Sequence, residues 1–343
     1  VARLDQRLDR FQQRVPLVGV PLAVVYKYFD DQGNYLAAAL TYYAFIAIFP
    51  LLLLSSSILG FVLQGDPRLE ERVLDSALSQ FPIVGDQLGR PDGLQGSTAA
   101  IVVGGLAALY GSLGLGQSLQ NAMNVAWSVP RNSRPNPVLL RLKSLLLLIT
   151  AGVAVLSLTV FSALSAATDL LDDRLDGTAR LLVQLGALLA LAAMLTVFFR
   201  FAAARQHPWV AAVPGALTVA VLWQALQYLG ALYATRVIAA TTDVNGTFAL
   251  VLGLIGIIYL AAAMAVLGME VNVVLARRLW PRALLTPFTD AVELTDADRR
   301  AYALYARAQR HKGFETVTVS FDERARARPP AGPSEEPAQE PSR

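Results

Sequence analysis

Six long apolar stretches, at about 35–63, 98–127, 145–167, 181–199, 209–234 and 247–275, hold a single charged residue between them, Glu270. The other 25 of the 26 acids, and all 29 Lys and Arg, lie between or beyond these stretches. Each stretch is at least about 19 residues long, enough for a helix to cross a ~30 Å hydrocarbon core at ~1.5 Å per residue. Helices buried in soluble proteins rarely run so far without a charge. The partition therefore predicts an all-α, polytopic membrane protein with six transmembrane helices. A composition of 55% hydrophobic and 16% charged residues fits that class and is too apolar for a soluble chain of this length.

The basic residues between the stretches alternate in number. Five precede the first stretch, four lie in the second loop, two in the fourth and twelve after the last. The first, third and fifth loops hold three, two and one. Lys and Arg accumulate on the cytoplasmic side of membrane proteins, so 23 against 6 places both termini in the cytoplasm. Eleven acids, six of them between Asp66 and Asp92, then fall on the outer side.

The flanks divide accordingly. Residues 1–34 read as a basic, amphipathic entry segment on the inner membrane face, interrupted at Pro16 and Pro21. The membrane domain covers 35–276. Its first outer loop carries Leu69, Val73, Ala77, Leu78 and Phe81 at helical spacing, which predicts an amphipathic helix at about 69–81. Residues 277–312 form a cytoplasmic helical region. There Thr295 is positioned to cap a helix running to about His311, with Ala301, Leu304, Tyr305 and Ala308 on an apolar face that docks on the membrane domain. Trp280-Pro281-Arg282 reads as an interface anchor. Residues 313–343, rich in Arg, Pro, Glu and Ala towards the end, are expected to be disordered.

Polar and helix-perturbing residues inside the spans mark the candidate site. Pro50 lacks a backbone donor and is a candidate kink in the first span. Gly104, Gly105, Gly111, Gly114 and Gly116 allow neighbouring helices to approach the second span closely. Gln117, Gln120, Asn121 and Asn124 follow on one helical stripe, and their amides need partners other than lipid. Gln224 lies in the fifth span. In the sixth, Gly253 and Gly256 offer a small-residue packing face, and Glu270 and Asn272 lie towards its inner end. These residues delimit a candidate polar cavity: Gln117, Gln120, Asn121, Asn124, Gln224, Glu270 and Asn272. Arg277, Arg200 or Arg205 could pair with Glu270. The alternative is static packing, with the amides tying helices together and Glu270 fixed by an arginine.

Enzymatic classes find no support in the sequence. There is no cysteine, and His207 and His311 stand apart in no metal-ligand pattern, so no metal or other cofactor is expected. Metal-dependent RNA hydrolysis needs convergent ligands that the chain lacks. Topology already explains the basic inner loops, so no nucleic-acid partner is inferred.

The segments 37–51 (AAALTYYAFIAIFPL), 119–127 (LQNAMNVAW) and 268–272 (GMEVN) resemble the signatures of the YihY/BrkB family, and the likeness extends over about 15–280. Val244-Asn245-Gly246-Thr247 departs from it, since relatives often carry an aromatic residue before that glycine. The resemblance implies a bacterial inner-membrane protein, once mislabelled ribonuclease BN and often described as a transporter, with links to envelope lipids. Membrane lipids, and a lipid or small-molecule substrate, are the partners it implies. A non-transporting structural or scaffolding membrane protein is the alternative. The sequence leaves substrate and oligomeric state open.

Overall fold

A backbone in an apolar medium must satisfy its own N–H and C=O groups, and the α-helix does so within one segment. In the computed structural model, which describes residues 9–62, 98–134, 136, 138–146, 177–202, 208–236, 243–289 and 292–321, every regular element is helical. The main helices are α1 (Pro16–Asp30), α2 (Gly33–Val62), α3 (Thr98–Ala126), α4 (Gly177–Ala202), α5 (Trp209–Arg236), α6 (Asp243–Arg277) and α7 (Asp296–Ala308). Residues 9–14 and 138–146 are also helical.

Among the described residues, three helices are long and apolar enough to cross a membrane. Their apolar segments are Leu185–Ala202, Trp209–Leu229 and Val251–Arg277, and Gly33–Ile48 is a shorter apolar stretch. Their outer faces are apolar too: Leu189 on α4, Val210 and Val221 on α5, and Leu252 on α6 are each more than half exposed. Such surface is costly in water, at about 25 cal/mol per Å², and is at home in lipid. The chain is an all-helical membrane protein.

α6 is the central element. It packs on α5, α2 and α1, while α2 packs on α3 and α4 on α5. Small residues set these distances. A Cβ on Gly114 would stand 2.1 Å from the Tyr43 ring, and one on Gly111 would stand 2.5 Å from Ile46. Gly116 instead meets Ser144 of the 138–146 helix. At Gly256, where a packing face was expected, a Cβ would meet nothing within 4 Å among the described residues.

Helix ends follow local chemistry. α3 and α6 stop alike. Ser128 and Arg278 adopt positive φ (48° and 53°), and Val129 N and Leu279 N donate back to Asn124 O (2.8 Å) and Val274 O (2.9 Å). This closure satisfies carbonyls that a helix end leaves free. α7 opens on a reciprocal cap, with Asp298 N donating to Thr295 Oγ1 at 3.1 Å and Thr295 N to Asp298 Oδ2 at 3.0 Å.

Of the two prolines expected to interrupt the entry segment, only Pro16 marks a boundary, as the first residue of α1; Pro21 lies inside that helix. α2 continues through Pro50 to Val62. The outer helix at about 69–81, the acidic third loop up to Asp176 and the tail from 322 lie outside the described residues.

Candidate functional site

The segment Gly268–Asn272 spends one turn of α6 on three different neighbours. Gly268 and Asn272, four residues apart, face α5. A Cβ on Gly268 would stand 2.4 Å from Val219 Cγ2, and Asn272 Oδ1 accepts a hydrogen bond from Gly215 N at 2.7 Å. Gly215 follows Pro214, a proline inside α5 that has no N–H of its own. Met269 is fully buried in the core. Glu270 points the other way, to α1.

There Glu270 Oε2 meets Lys27 Nζ at 3.3 Å, and the same ammonium holds Asp31 Oδ2 at 2.5 Å. Lys27 and Glu270 are wholly shielded from solvent, and the Asp31 side chain is 4% exposed. Isolated charges are not kept in such a setting, so the ion pair accounts for their persistence. Burial alone would lower the Lys27 pKa, but Glu270 and Asp31 override it and hold the ammonium above its usual value. For Asp31 burial wins over Lys27, and its carboxyl is pushed up from the usual range. From α7 the Tyr305 ring covers the ammonium, with its centroid 5.2 Å from Nζ.

The arginines expected to pair with Glu270 are engaged elsewhere. Arg277 Nη2 donates to Trp127 O at 3.0 Å, tying the end of α6 to the end of α3. Arg200 stacks over Trp209 at 4.5 Å. Arg205 lies outside the described residues. A cation from the entry segment takes their place because α1 packs directly against α6.

A second ion cluster adjoins the first. Arg282 Nε meets Asp298 Oδ1 at 2.6 Å, and Nη1 meets Asp30 Oδ2 at 2.9 Å. Arg282 is 1% exposed, so it is no interface anchor reaching for lipid headgroups. Burial would lower its pKa, but Asp30 and Asp298 raise it above the usual value. Backbone groups complete the joint. Gln12 Nε2 donates to Arg282 O (2.6 Å), Leu284 N to Asp9 Oδ1 (2.9 Å) and Ala283 N to Asp298 Oδ2 (3.0 Å), and Tyr26 OH donates to Leu284 O. Residues before α2 and after α6 are thereby fastened to one another.

The amides go to separate places. Gln120, 2% exposed, donates to Ser144 Oγ at 2.8 Å and Leu140 O at 3.1 Å, towards the 138–146 helix. Asn121 is exposed and accepts from Arg134 Nη1 at 3.4 Å. Asn124 is buried, and its Oδ1 has no hydrogen-bond donor. Gln117 and Gln224 are exposed on the bundle surface. Of the residues marked by sequence, then, Glu270 joins a charged cluster, while Gln120 and Asn272 each hold a different pair of helices. Lys27, Asp31, Asp30, Arg282 and Asp298 were not singled out as site residues. For Lys27 a signal existed: it is the one cation in the otherwise apolar run Leu17–Phe29, with an acid four residues on.

Apolar helices joined by buried ion pairs define an integral membrane protein of the α-helical class. Within that class the chain belongs to the BrkB family, whose model, described as "Virulence factor BrkB", matches residues 24–288. That span includes Lys27, Glu270 and Arg282. The chain is 29% identical over 115 residues to "Inner membrane protein YhjD" of Escherichia coli (strain K12). The match spans about a third of each protein, 32% of this chain and 34% of that one. No solved structure matches.

Proposed function

We propose that the chain is a six-span inner-membrane protein with both termini in the cytoplasm, and that it moves a lipid or small polar solute in support of the cell envelope. The carrying observation is the Lys27–Asp31–Glu270 cluster, fully buried among apolar helices. Ionisable groups inside a membrane bundle are costly and typically belong to a substrate or ion pathway. Membership of the BrkB family and the likeness to an inner-membrane protein support the location. The basic surplus at the ends and in the second and fourth loops supports the orientation. The 9–14 helix and α1 support an inner-face position: Phe11 on the first and Val18, Val25 and Phe29 on the second are exposed apolar side chains, and Arg10 and Arg14 are exposed beside them.

The chain has no cysteine, so single introduced cysteines report topology without background. Cysteines replacing Asp75 or Asp172 are expected to react with a membrane-impermeant maleimide in intact cells. One replacing Lys312 should react only after permeabilisation. Reaction of all three in intact cells would refute the orientation.

Transport itself is tested with purified protein in proteoliposomes, using fluorescent phospholipids whose outer-leaflet fraction is quenched by an added reductant. Quenching beyond the outer-leaflet half, abolished in Lys27→Met, is the expected result. A second reading, a structural scaffold, draws on the separate contacts of Gln120 and Asn272, each of which ties two helices together. Vesicles that neither scramble lipid nor take up solute, together with a stoichiometric partner lost on deleting 290–343, would favour the scaffold.

A further inference from the structure

The Lys27 cluster holds one cation between two carboxyl groups. Asp31 and Glu270 both turn to the same Nζ, and both are shielded from solvent. With every group ionised the cluster would bury a net negative charge. A net charge in a low-dielectric interior costs far more than a neutral set of the same groups. Among the described residues, nearby charge does not supply the missing cation. Arg282, the next buried cation, is already shared by Asp30 and Asp298. Asp30 beside Asp31 adds negative charge rather than removing it, and the remaining titratable neighbours that act on the cluster are Tyr28 on α1 and Tyr305 on α7, which are neutral at ordinary pH, with Tyr259 of α6 beside Tyr28.

A second observation points the same way. Both Glu270 oxygens are fully buried and neither accepts a hydrogen bond, Oε2 having only its ion-pair contact with Lys27, although a buried carboxylate ordinarily gathers donors on both oxygens. A carboxylic acid has less need of donors than a carboxylate and becomes a donor itself. The upward push of burial on Asp31 has the same origin.

We propose that Asp31 and Glu270 share a single exchangeable proton beside Lys27, making the junction of α1 and α6 a proton-binding site. The proton neutralises the cluster. It reaches the site from the side of Asp31, the less sealed of the two acids, next to the partly exposed Asp30. Its release leaves one uncompensated negative charge between α1 and α6, so the contact between them weakens as pH rises. The proposal goes beyond transport and does not rest on it, since a scaffold could carry the same site.

Infrared difference spectroscopy of the full chain in lipid nanodiscs, stepped from neutral to alkaline pH, tests it. Exposed carboxyl groups, with pKa values of ~4, are already ionised at the start and stay silent. The expected result is one protonated-carboxyl C=O band that shifts in D2O and disappears as pH rises. Glu270→Gln and Asp31→Asn should each abolish it, because either leaves a neutral Lys–carboxylate pair. Lys27→Met should instead strengthen it, since both acids then keep a proton. Absence of the band from the wild-type protein overturns the proposal without recourse to any variant, and survival of the band in either acid variant overturns the sharing.

Discussion

An Arg282→Met variant loses about 3–5 kcal/mol of stability, the usual cost of breaking a buried ion pair by removing one partner. The cost comes from what is left behind. Asp298 is fully buried and Asp30 is three-quarters shielded, and both lose their counter-ion at once. Asp298 keeps hydrogen bonds from Ala283 N, Thr295 N and Thr295 Oγ1, which do not balance its charge. α7 should therefore come away from the bundle. Thermal unfolding in detergent would fall, and trypsin would cut at Arg299, Arg300 or Arg307 in the otherwise folded protein. Adding Asp298→Leu should recover part of the loss, because the stranded charge is then gone. An unchanged melting midpoint and digestion pattern in Arg282→Met would refute this account of the joint.

Gly215→Ala carries the second large effect. A Cβ at this position would lie 1.9 Å from Gly268 O and 2.7 Å from Asn272 Cγ. The first of these is backbone of α6 and cannot rotate away, so α5 and α6 must part. Overpacking of ordinary side chains costs about 1–3 kcal/mol, and a backbone collision should exceed that. The gain in helix propensity from glycine to alanine, ~1 kcal/mol at most, offsets little of it. Parting the helices also breaks the bond from Gly215 N to Asn272. Gly256→Ala is the matched control: nothing lies near its Cβ, so only the propensity gain applies and stability should hold or rise slightly. Melting midpoints and monodispersity of the two variants in one detergent decide the matter. Equal stability of both would show that the close crossing is not what the geometry describes.

The class of fold was legible in the sequence because lipid imposes a coarse rule: charge stays out of long apolar helices. Local rules read well for the same reason, and the Thr295 cap and its helix needed only a few consecutive residues. The site was less legible. Glu270 stood out by its isolation, but its partner lies 243 positions away in a segment whose charges looked like ordinary topology signals. Likewise Arg282 sits beside Trp280 and Pro281 as an interface anchor would, and only α1 and α7 folding over it turn it inward. The amide stripe misled for another reason. Periodicity shows that Gln117, Gln120, Asn121 and Asn124 share a general direction, but a helix face is broad. Gln120 turns inward to Ser144, while Asn121 beside it is exposed.

The joint around Arg282 also limits how the chain can thread a bilayer. Gln12, Tyr26 and Asp30 come before α2, and Arg282, Leu284 and Asp298 come after α6. Groups in direct hydrogen bond cannot stand on opposite sides of a membrane. On the proposed six-span reading, a path that leaves Asp30 and returns to Arg282 finishes on the side where it began, and a threading with an odd number of crossings would have to tear this joint open.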